Sequence, residues 1–210
     1  MSKPGIKHAG PMQIYGDVRS GNCYKIKLLC SLLGIDHDWI AVDIMQGETR
    51  SDSFLALNPN GQIPICVTAA GEVLTQSNAI LYFLGNDSSY WPDDPLAQTR
   101  VLEWQFFEQY SHEPGIAVAR FIKVYQGMPA ERQQEYQERL KTGYRALDVM
   151  EQRLHQQNFL ATDACTLADI SLYAYTHVAA EGGFELSHYP AIRAWIARIQ
   201  ALEHYIGMQD

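Results

Sequence analysis

A hydroxyl, an amide and a thiol stand close together where the first predicted helix begins. Ser20 and Asn22 flank a glycine in the break after the first predicted strand, and Cys23 is the first member of an apolar helical stripe. A serine hydroxyl cannot act as a base at neutral pH, but at a helix N-terminus it can donate a hydrogen bond to an anion. The Asn22 amide is a competing donor. Because Cys23 belongs to the apolar stripe, we expect a buried and unreactive thiol there.

Two further polar segments precede predicted elements in the first half of the chain. The turn-forming residues 58–61 (Asn-Pro-Asn-Gly) lead to Pro64. Proline has no N–H, so Pro64 suits the first residue or the edge of a strand. Gln76 and Ser77 precede the apolar positions of another helical pattern, and we expect the Ser77 hydroxyl to cap that helix.

The first half of the chain combines short strand patterns with helical ones in the order β-α-β-α-β-β-α. The strands are predicted at residues 13–15, 39–44, 63–67 and 73–75. The first helix ends at Gly34, the second is a brief one at 53–57, and the third begins at Ser77. This order is typical of a small mixed sheet covered by helices.

The second half shows only helical patterns. Beyond a polar, proline-punctuated segment, long helices are predicted at 96–125 and 129–157, with a kink or break at Pro114, and shorter ones begin at Thr166 and Pro190. Thr166 and Asp169 have the spacing of a capping box. We therefore expect an α/β domain followed by an all-α domain: an arm at 1–12, the α/β domain at 13–86, a linker at 87–94 and a helical bundle at 95–210.

Composition narrows the class of partner. Lys and Arg total 16 against 24 Asp and Glu, and the net charge of −8 opposes a nucleic-acid footprint. The four cysteines form no C-x-x-C pair, and the seven histidines show no paired metal-ligand spacing, which favours a reducing cytoplasm and no metal site. No apolar run has the length of a membrane span, and the first residues lack the apolar block of a secretory signal.

Four motifs, in this order, resemble the cytosolic glutathione transferase family. The run Y-x-D-x-x-S-x-x-C at 15–23 resembles the catalytic turn of the bacterial, serine-type (theta-like) members, and N-P-N-G-Q-I-P at 58–64 resembles their loop ending in a cis-proline. T-Q-S-N-A-I at 75–80 resembles the step that holds the γ-glutamyl group, and T-L-A-D at 166–169 resembles the N-capping motif of the helical domain. The resemblance implies a thioredoxin-like N-terminal domain and a C-terminal α-helical bundle.

The resemblance also implies roles for individual residues. Ser20 would donate a hydrogen bond to the sulfur of glutathione, with Asn22 ranked second. The rest of glutathione would be held by five residues: Gln62, Ile63, Pro64, Gln76 and Ser77. Of these, cis-Pro64 would expose the backbone of Ile63 to the cysteinyl part, and Gln62 would reach the glycyl carboxylate. Gln76 and Ser77 would bind the γ-glutamyl end.

The implied activity is conjugation of glutathione, as co-substrate, to a small hydrophobic electrophile. The electrophile pocket would be lined by aromatic and polar side chains of the first long helix: Tyr110, His112 and Phe121. Relatives pair about a two-fold axis, so a homodimer is expected, with no metal, nucleic acid or membrane partner. Two alternatives stay open: glutathione-dependent peroxide or disulfide reduction at the same site, and a non-catalytic interaction module.

Overall fold

A four-stranded mixed sheet forms the centre of the first of two compact units. The computed structural model describes residues 11–210, and this unit comprises the described residues up to Ser89 together with Glu203–Asp210. The strands are, in chain order, β1 (Met12–Gly16), β2 (His37–Ala41), β3 (Ile65–Val67) and β4 (Val73–Thr75). Their order in the sheet is β2-β1-β3-β4. β1 and β2 are parallel, whereas β3 is antiparallel to both β1 and β4.

Three helices accompany this sheet: α1 (Gly21–Leu33), α2 (Asp52–Leu57) and α3 (Ser77–Gly85). α1 ends where predicted, because Gly34 adopts a left-handed φ of 62° and its N–H reaches the carbonyl oxygens of the last turn. The core of the unit contains fully buried side chains from the sheet and from two helices: Ile14, Ile26, Leu29, Cys66 and Ile80. The predicted thioredoxin-like arrangement of a mixed sheet with helices is confirmed.

Several predicted boundaries differ from the observed ones. The arm predicted at 1–12 lies outside the described residues except for its last two positions, and Met12 already belongs to β1. β2 ends at Ala41 rather than residue 44, because the Asp43 carboxylate accepts hydrogen bonds from the next two free N–H groups and forms a turn. β3 starts at Ile65, directly after Pro64. The N-cap of α3 is Gln76, and Ser77 is the first helical residue, so the predicted cap was wrong.

The second unit, Tyr90–Leu202, is helical. Its helices are, in chain order, α4 (Pro95–Phe107), α5 (Glu113–Arg120), α6 (Gln133–Leu154), α7 (Leu167–Thr176) and α8 (Pro190–Gln200). Wide π-helical turns at Glu108–His112 and Phe121–Tyr125 flank α5. The predicted helix at 96–125 is therefore continuous in outline but has two irregular turns, one just before Pro114 and one at its end.

Capping residues set the start of α7. The Thr166 and Asp169 side chains form the predicted capping box. Asp169 is fully buried, and its carboxylate also accepts hydrogen bonds from the Leu160 N–H and the Trp195 indole, at 2.8 and 2.9 Å. Asp169 therefore ties α7 to α8 and to the segment before α7.

The last residues of the chain belong to the first unit. The Tyr24 hydroxyl donates to the carbonyl of Ile206 at 2.7 Å, and the Ser31 hydroxyl donates to the carbonyl of His204 at 2.7 Å. The structure thus assigns residues 203–210 to the α/β unit, whereas the sequence pattern assigned them to the helical domain. Within residues 11–210, no helix combines the length and the apolar character needed to cross a bilayer.

Candidate functional site

Ser20 caps α1 through a lone pair of its hydroxyl, so the cap does not use the hydroxyl proton. Its backbone is extended (φ −80°, ψ 122°), and its Oγ accepts a hydrogen bond from the Cys23 N–H at 3.4 Å. The Ser20 side chain also lies near the Cys23 thiol, where hydrogen bonding lowers the thiol pKa. Accepting a bond from N–H uses a lone pair of the hydroxyl, so the O–H remains a donor.

A tight turn holds Ser20 in place after β1. The Asp17 carbonyl accepts from the Ser20 N–H at 3.0 Å, and the Asp17 carboxylate accepts from the Arg19 N–H at 2.8 Å. Gly16 allows β1 and α1 to approach closely, because a Cβ there would lie 2.9 Å from the Cys23 sulfur. The strand end, the turn and the helix start therefore form one packed unit beneath Ser20.

The Cys23 side chain is part of the core. It is fully buried, and burial raises the pKa of its thiol to about 12. Hydrogen bonds from the turn oppose this shift without cancelling it. The thiol is therefore protonated at neutral pH, as expected for an unreactive cysteine.

The register of the strands brings three polar segments to one end of the sheet: the turn that contains Ser20, the loop that ends at Pro64, and the step at Gln76. Tyr15 in β1 is opposite Ile65 in β3, and Ile65 is opposite Thr75 in β4. The turn after β1, the residue Pro64 before β3 and the residue Gln76 after β4 therefore lie at neighbouring strand ends. This register therefore brings the three segments together.

The loop before β3 presents its backbone. The Ile63–Pro64 peptide bond is cis, as the resemblance implied. Gln62 is exposed, and its carbonyl accepts from the Asn58 amide at 2.7 Å. Among residues 11–210, no hydrogen bond uses the N–H or C=O of Ile63. Both groups are therefore available to an extended peptide-like ligand.

The start of α3 contacts the start of α1 through side chains. Gln76 has a left-handed φ of 69° and is exposed, whereas Ser77 is buried. The Ser77 hydroxyl donates to the Asn22 Oδ1 at 3.1 Å, instead of capping its own helix. The Ser77 N–H is one of the first N–H groups of α3, which have no acceptor inside the helix. The Ser77–Asn22 hydrogen bond thus joins the start of α3 to the start of α1, which Ser20 caps.

Sequence reasoning missed Lys25, which takes part in this contact between α1 and α3. Its side chain is fully buried, and Nζ donates to the Ser77 Oγ at 3.2 Å. The available signal was its position: Lys25 lies between Cys23 and Ile26, on the helix face that the apolar stripe marks as buried.

The three residues predicted for the electrophile pocket lie in the helical unit. Tyr110 is 88% exposed, and Phe121 stacks on Tyr125 with ring centroids 5.1 Å apart. His112 is fully buried, and its Nε2 lies 2.8 Å from the Thr176 hydroxyl. The structure therefore gives His112 a core position rather than a pocket-lining one. In the described part of the chain, no group of three His, Cys, Asp or Glu residues is placed to hold a metal ion.

Comparison with known proteins gives this arrangement its family. The model of the glutathione S-transferase N-terminal domain matches residues 19–87, and that of the C-terminal domain matches residues 105–203. The crystal structure of a glutathione S-transferase from Pseudomonas fluorescens Pf-5 is 54% identical, with a TM-score of 0.94, and the match covers 96% of this chain and 100% of that one.

Two other relatives extend the comparison. The crystal structure of a glutathione S-transferase from Xanthobacter autotrophicus Py2 is 43% identical, with a TM-score of 0.90, over 94% of this chain and 96% of that one. The maleylacetoacetate isomerase of Pseudomonas aeruginosa is 28% identical over 87% of this chain and 88% of its own. The matched domains and the 54% identical relative show that the chain belongs to the glutathione transferase family.

Proposed function

We propose that this protein binds glutathione, holds its thiol as the thiolate, and conjugates it to a small hydrophobic electrophile. The observation that carries the proposal is the hydroxyl of Ser20 at the N-terminus of α1, whose proton the helix cap does not use. In this proposal Ser20 is the main donor to the sulfur, as in the serine-type members that the sequence resembles. Asn22 is the second donor, because its Oδ1 is engaged by Ser77 and its amide N–H groups remain.

The energies involved are sufficient for thiolate formation. The unperturbed pKa of the glutathione thiol is about 8.5 by analogy with cysteine. A hydrogen bond to a charged acceptor contributes roughly 1.5–3 kcal/mol, and a partly buried helix N-terminus adds up to about 2 kcal/mol. One pKa unit corresponds to about 1.36 kcal/mol, so a decrease of about two units is expected. The thiolate would then be the main form at pH 7.

The rest of glutathione is assigned to the backbone and side chains at the same strand ends. The free N–H and C=O of Ile63 suit the cysteinyl part, in the manner of an added strand. Gln76 and the N-terminus of α3, at Ser77, would bind the γ-glutamyl end. Gln62 would bind the glycyl carboxylate. Pro64 fixes the loop between them. For the electrophile pocket, the proposal retains the accessible Tyr110 and the partly buried Phe121.

We further propose that the protein is a homodimer and that it resides in a reducing cytoplasm, each on the basis of one feature. Leu102 and Phe106, four residues apart on α4, are 39% and 70% exposed and form an apolar face. All four cysteines are buried and unpaired, which suits a reducing compartment.

Binding calorimetry tests the glutathione assignment. Replacing both Gln76 and Ser77 by Ala should weaken glutathione binding at least about tenfold, because each lost hydrogen bond contributes about 0.5–3 kcal/mol. The matched control is Thr68→Ala with Glu72→Ala, at the opposite end of the β3–β4 hairpin. Equal affinities for the double mutant, its control and the parent protein would refute the assignment.

An activity panel separates the reactions that a bound thiolate can perform. A relative bears the name maleylacetoacetate isomerase, so maleylacetoacetate is assayed beside model electrophiles, peroxides and a glutathione mixed disulfide. Turnover of electrophiles supports conjugation, whereas turnover confined to peroxide or disulfide supports the reductase alternative. Glutathione binding without turnover of any of these compounds would favour the non-catalytic module.

A further inference from the structure

Arg50 lies against the loop that precedes the cis-proline. It ends the short 3₁₀ turn Glu48–Arg50, and its Nη1 donates to the Asn60 carbonyl at 3.4 Å. A Cβ at Gly61 would lie 2.5 Å from the same Nη1, so a side chain there would displace the guanidinium. The Arg50 side chain therefore packs on the loop two residues before Ile63.

The positive charge of Arg50 is available to a ligand. A guanidinium has five N–H donors, and within residues 11–210 the contact with Asn60 is the one hydrogen bond of the Arg50 side chain. No carboxylate in that part of the chain forms an ion pair with it. Of the acidic residues two positions away, Glu48 accepts from the Asp43 N–H at 2.7 Å, and Asp52 lies in the first turn of α2. Arg50 is also exposed, so a ligand can reach it.

Hydrogen bonds hold the loop in place relative to Ile63. Asn58 is buried, its amide donates to the Gln62 carbonyl at 2.7 Å, and its Oδ1 accepts from the Asn60 N–H at 3.1 Å. The Asn58 carbonyl also accepts from the Gly61 N–H at 2.9 Å. Two residues of extended chain span at most about 7 Å, so a guanidinium on Gly61 is within reach of a ligand bound at Ile63.

Glutathione has a second carboxylate, on the glycyl residue that follows its cysteinyl residue. A ligand with its γ-glutamyl end at Gln76 and its cysteinyl part at Ile63 extends its glycyl end back along the loop, toward Gln62 and Gly61. The Gln62 amide can donate a hydrogen bond there, but it is neutral and cannot balance a charge. The Arg50 guanidinium can do both, because its fork of N–H groups matches the two oxygens of a carboxylate.

We infer that Arg50 binds the glycyl carboxylate of glutathione, and that its charge, more than the Gln62 amide, makes the site selective for ligands with that carboxylate. The inference rests on the proposed function. The protein has a net charge of −8, which opposes an anionic ligand, so the attraction is expected to come from a local cation. A residue that only stabilised the loop would not produce selectivity for charge.

Calorimetry with two ligands tests this selectivity. The ligands are glutathione and γ-glutamylcysteinylglycinamide, in which an uncharged amide replaces the glycyl carboxylate. The parent protein should bind glutathione about tenfold more tightly than the amide, the difference that a hydrogen bond to a charged group typically makes. Arg50→Gln, which keeps a donor without the charge, should weaken glutathione binding about tenfold and binding of the amide less than twofold. Arg50→Lys, which keeps the charge, should retain most of the preference for glutathione.

Lys27→Gln is the matched control, because it removes a positive charge from the same unit at a side chain directed to the Met208 carbonyl. It should leave both affinities unchanged, and Gln62→Ala should weaken glutathione binding less than Arg50→Gln does.

The comparison of the two ligands on the parent protein needs no variant. Equal affinities of the parent protein for both ligands, or equal weakening of both by Arg50→Gln, would overturn the inference and leave glutathione binding intact. Unchanged glutathione binding in Arg50→Gln would overturn it as well. If the parent protein binds neither ligand, the proposed function itself fails.

Discussion

The Ser20→Ala substitution removes one hydroxyl and should raise the pKa of the bound glutathione thiol. The Ser20 Oγ lies at a long 3.4 Å from the Cys23 N–H, so the loss of its capping role costs little within the usual 0.5–2 kcal/mol range. The lost donor to a thiolate contributes roughly 1.5–3 kcal/mol, which corresponds to an increase of about one to two pKa units. Turnover at pH 7 should fall on the order of 10²-fold, less if Asn22 compensates.

The assay follows the ultraviolet absorbance of the bound thiolate against pH. Ser51→Ala is the matched control, because Ser51 caps α2 in the same way and its Oγ accepts from the Phe54 N–H at 3.3 Å. Both variants lose a serine cap, but only Ser20→Ala should shift the titration. If Asn22→Ala shifts it and Ser20→Ala does not, the principal donor is Asn22 and the reasoning about Ser20 is refuted.

Three further predictions concern the thiols, the helical unit and the assembly. Burial raises the pKa of the Cys23 and Cys30 thiols to about 12 and that of Cys66 to about 11. The native protein should therefore resist alkylation at pH 8, whereas all four thiols should react after unfolding. A thiol of the native protein that titrates below pH 9 would contradict this prediction. Asp169→Ala leaves four donor groups without their buried acceptor and should lower the free energy of unfolding by about 4 kcal/mol or more. The control substitution Asp163→Ala, at an exposed position, should change the free energy of unfolding by close to zero. Equal denaturation midpoints for Asp169→Ala and the parent protein would contradict the prediction. By light scattering, the protein should have a mass of about twice the 23.7 kDa of one chain. Phe106→Arg should reduce the mass toward that of one chain, whereas Val124→Arg, at another exposed apolar residue, should not. A parent protein with the mass of one chain would refute the dimer.

Periodicity and turn chemistry predicted many of the helices and strands of both units, because the local signals agree with the packing there. The apolar stripe of α1 and its terminal Gly34 specify one helix, and the capping box specifies the start of α7. The end of β2 was harder to predict, since Val42 and Ile44 look strand-like while Asp43 forms a turn with its own neighbours. Hydrophobic pattern alone does not report such side-chain-to-backbone competition.

The site could be predicted only in part, because some of its contacts are tertiary. The positions of Ser20 and Pro64 follow from local sequence. The hydroxyl of Ser77 is engaged by Asn22 and Lys25, which lie more than fifty positions away, so a cap expected from local sequence did not form. His112 likewise offered a polar group on a helix, but its partner Thr176 comes from α7, in the core.

Proton release on glutathione binding tests the central claim most directly. Calorimetry at pH 7.5 is repeated in buffers of different ionisation enthalpy, and S-methylglutathione, which has no thiol, serves as the control. If the thiol pKa falls from about 8.5 to about 6.5 on binding, about 0.8 proton is released per glutathione. S-methylglutathione should release none, and Ser20→Ala should release about 0.4 or less. Glutathione that binds the parent protein without releasing a proton, or fails to bind, would contradict the account.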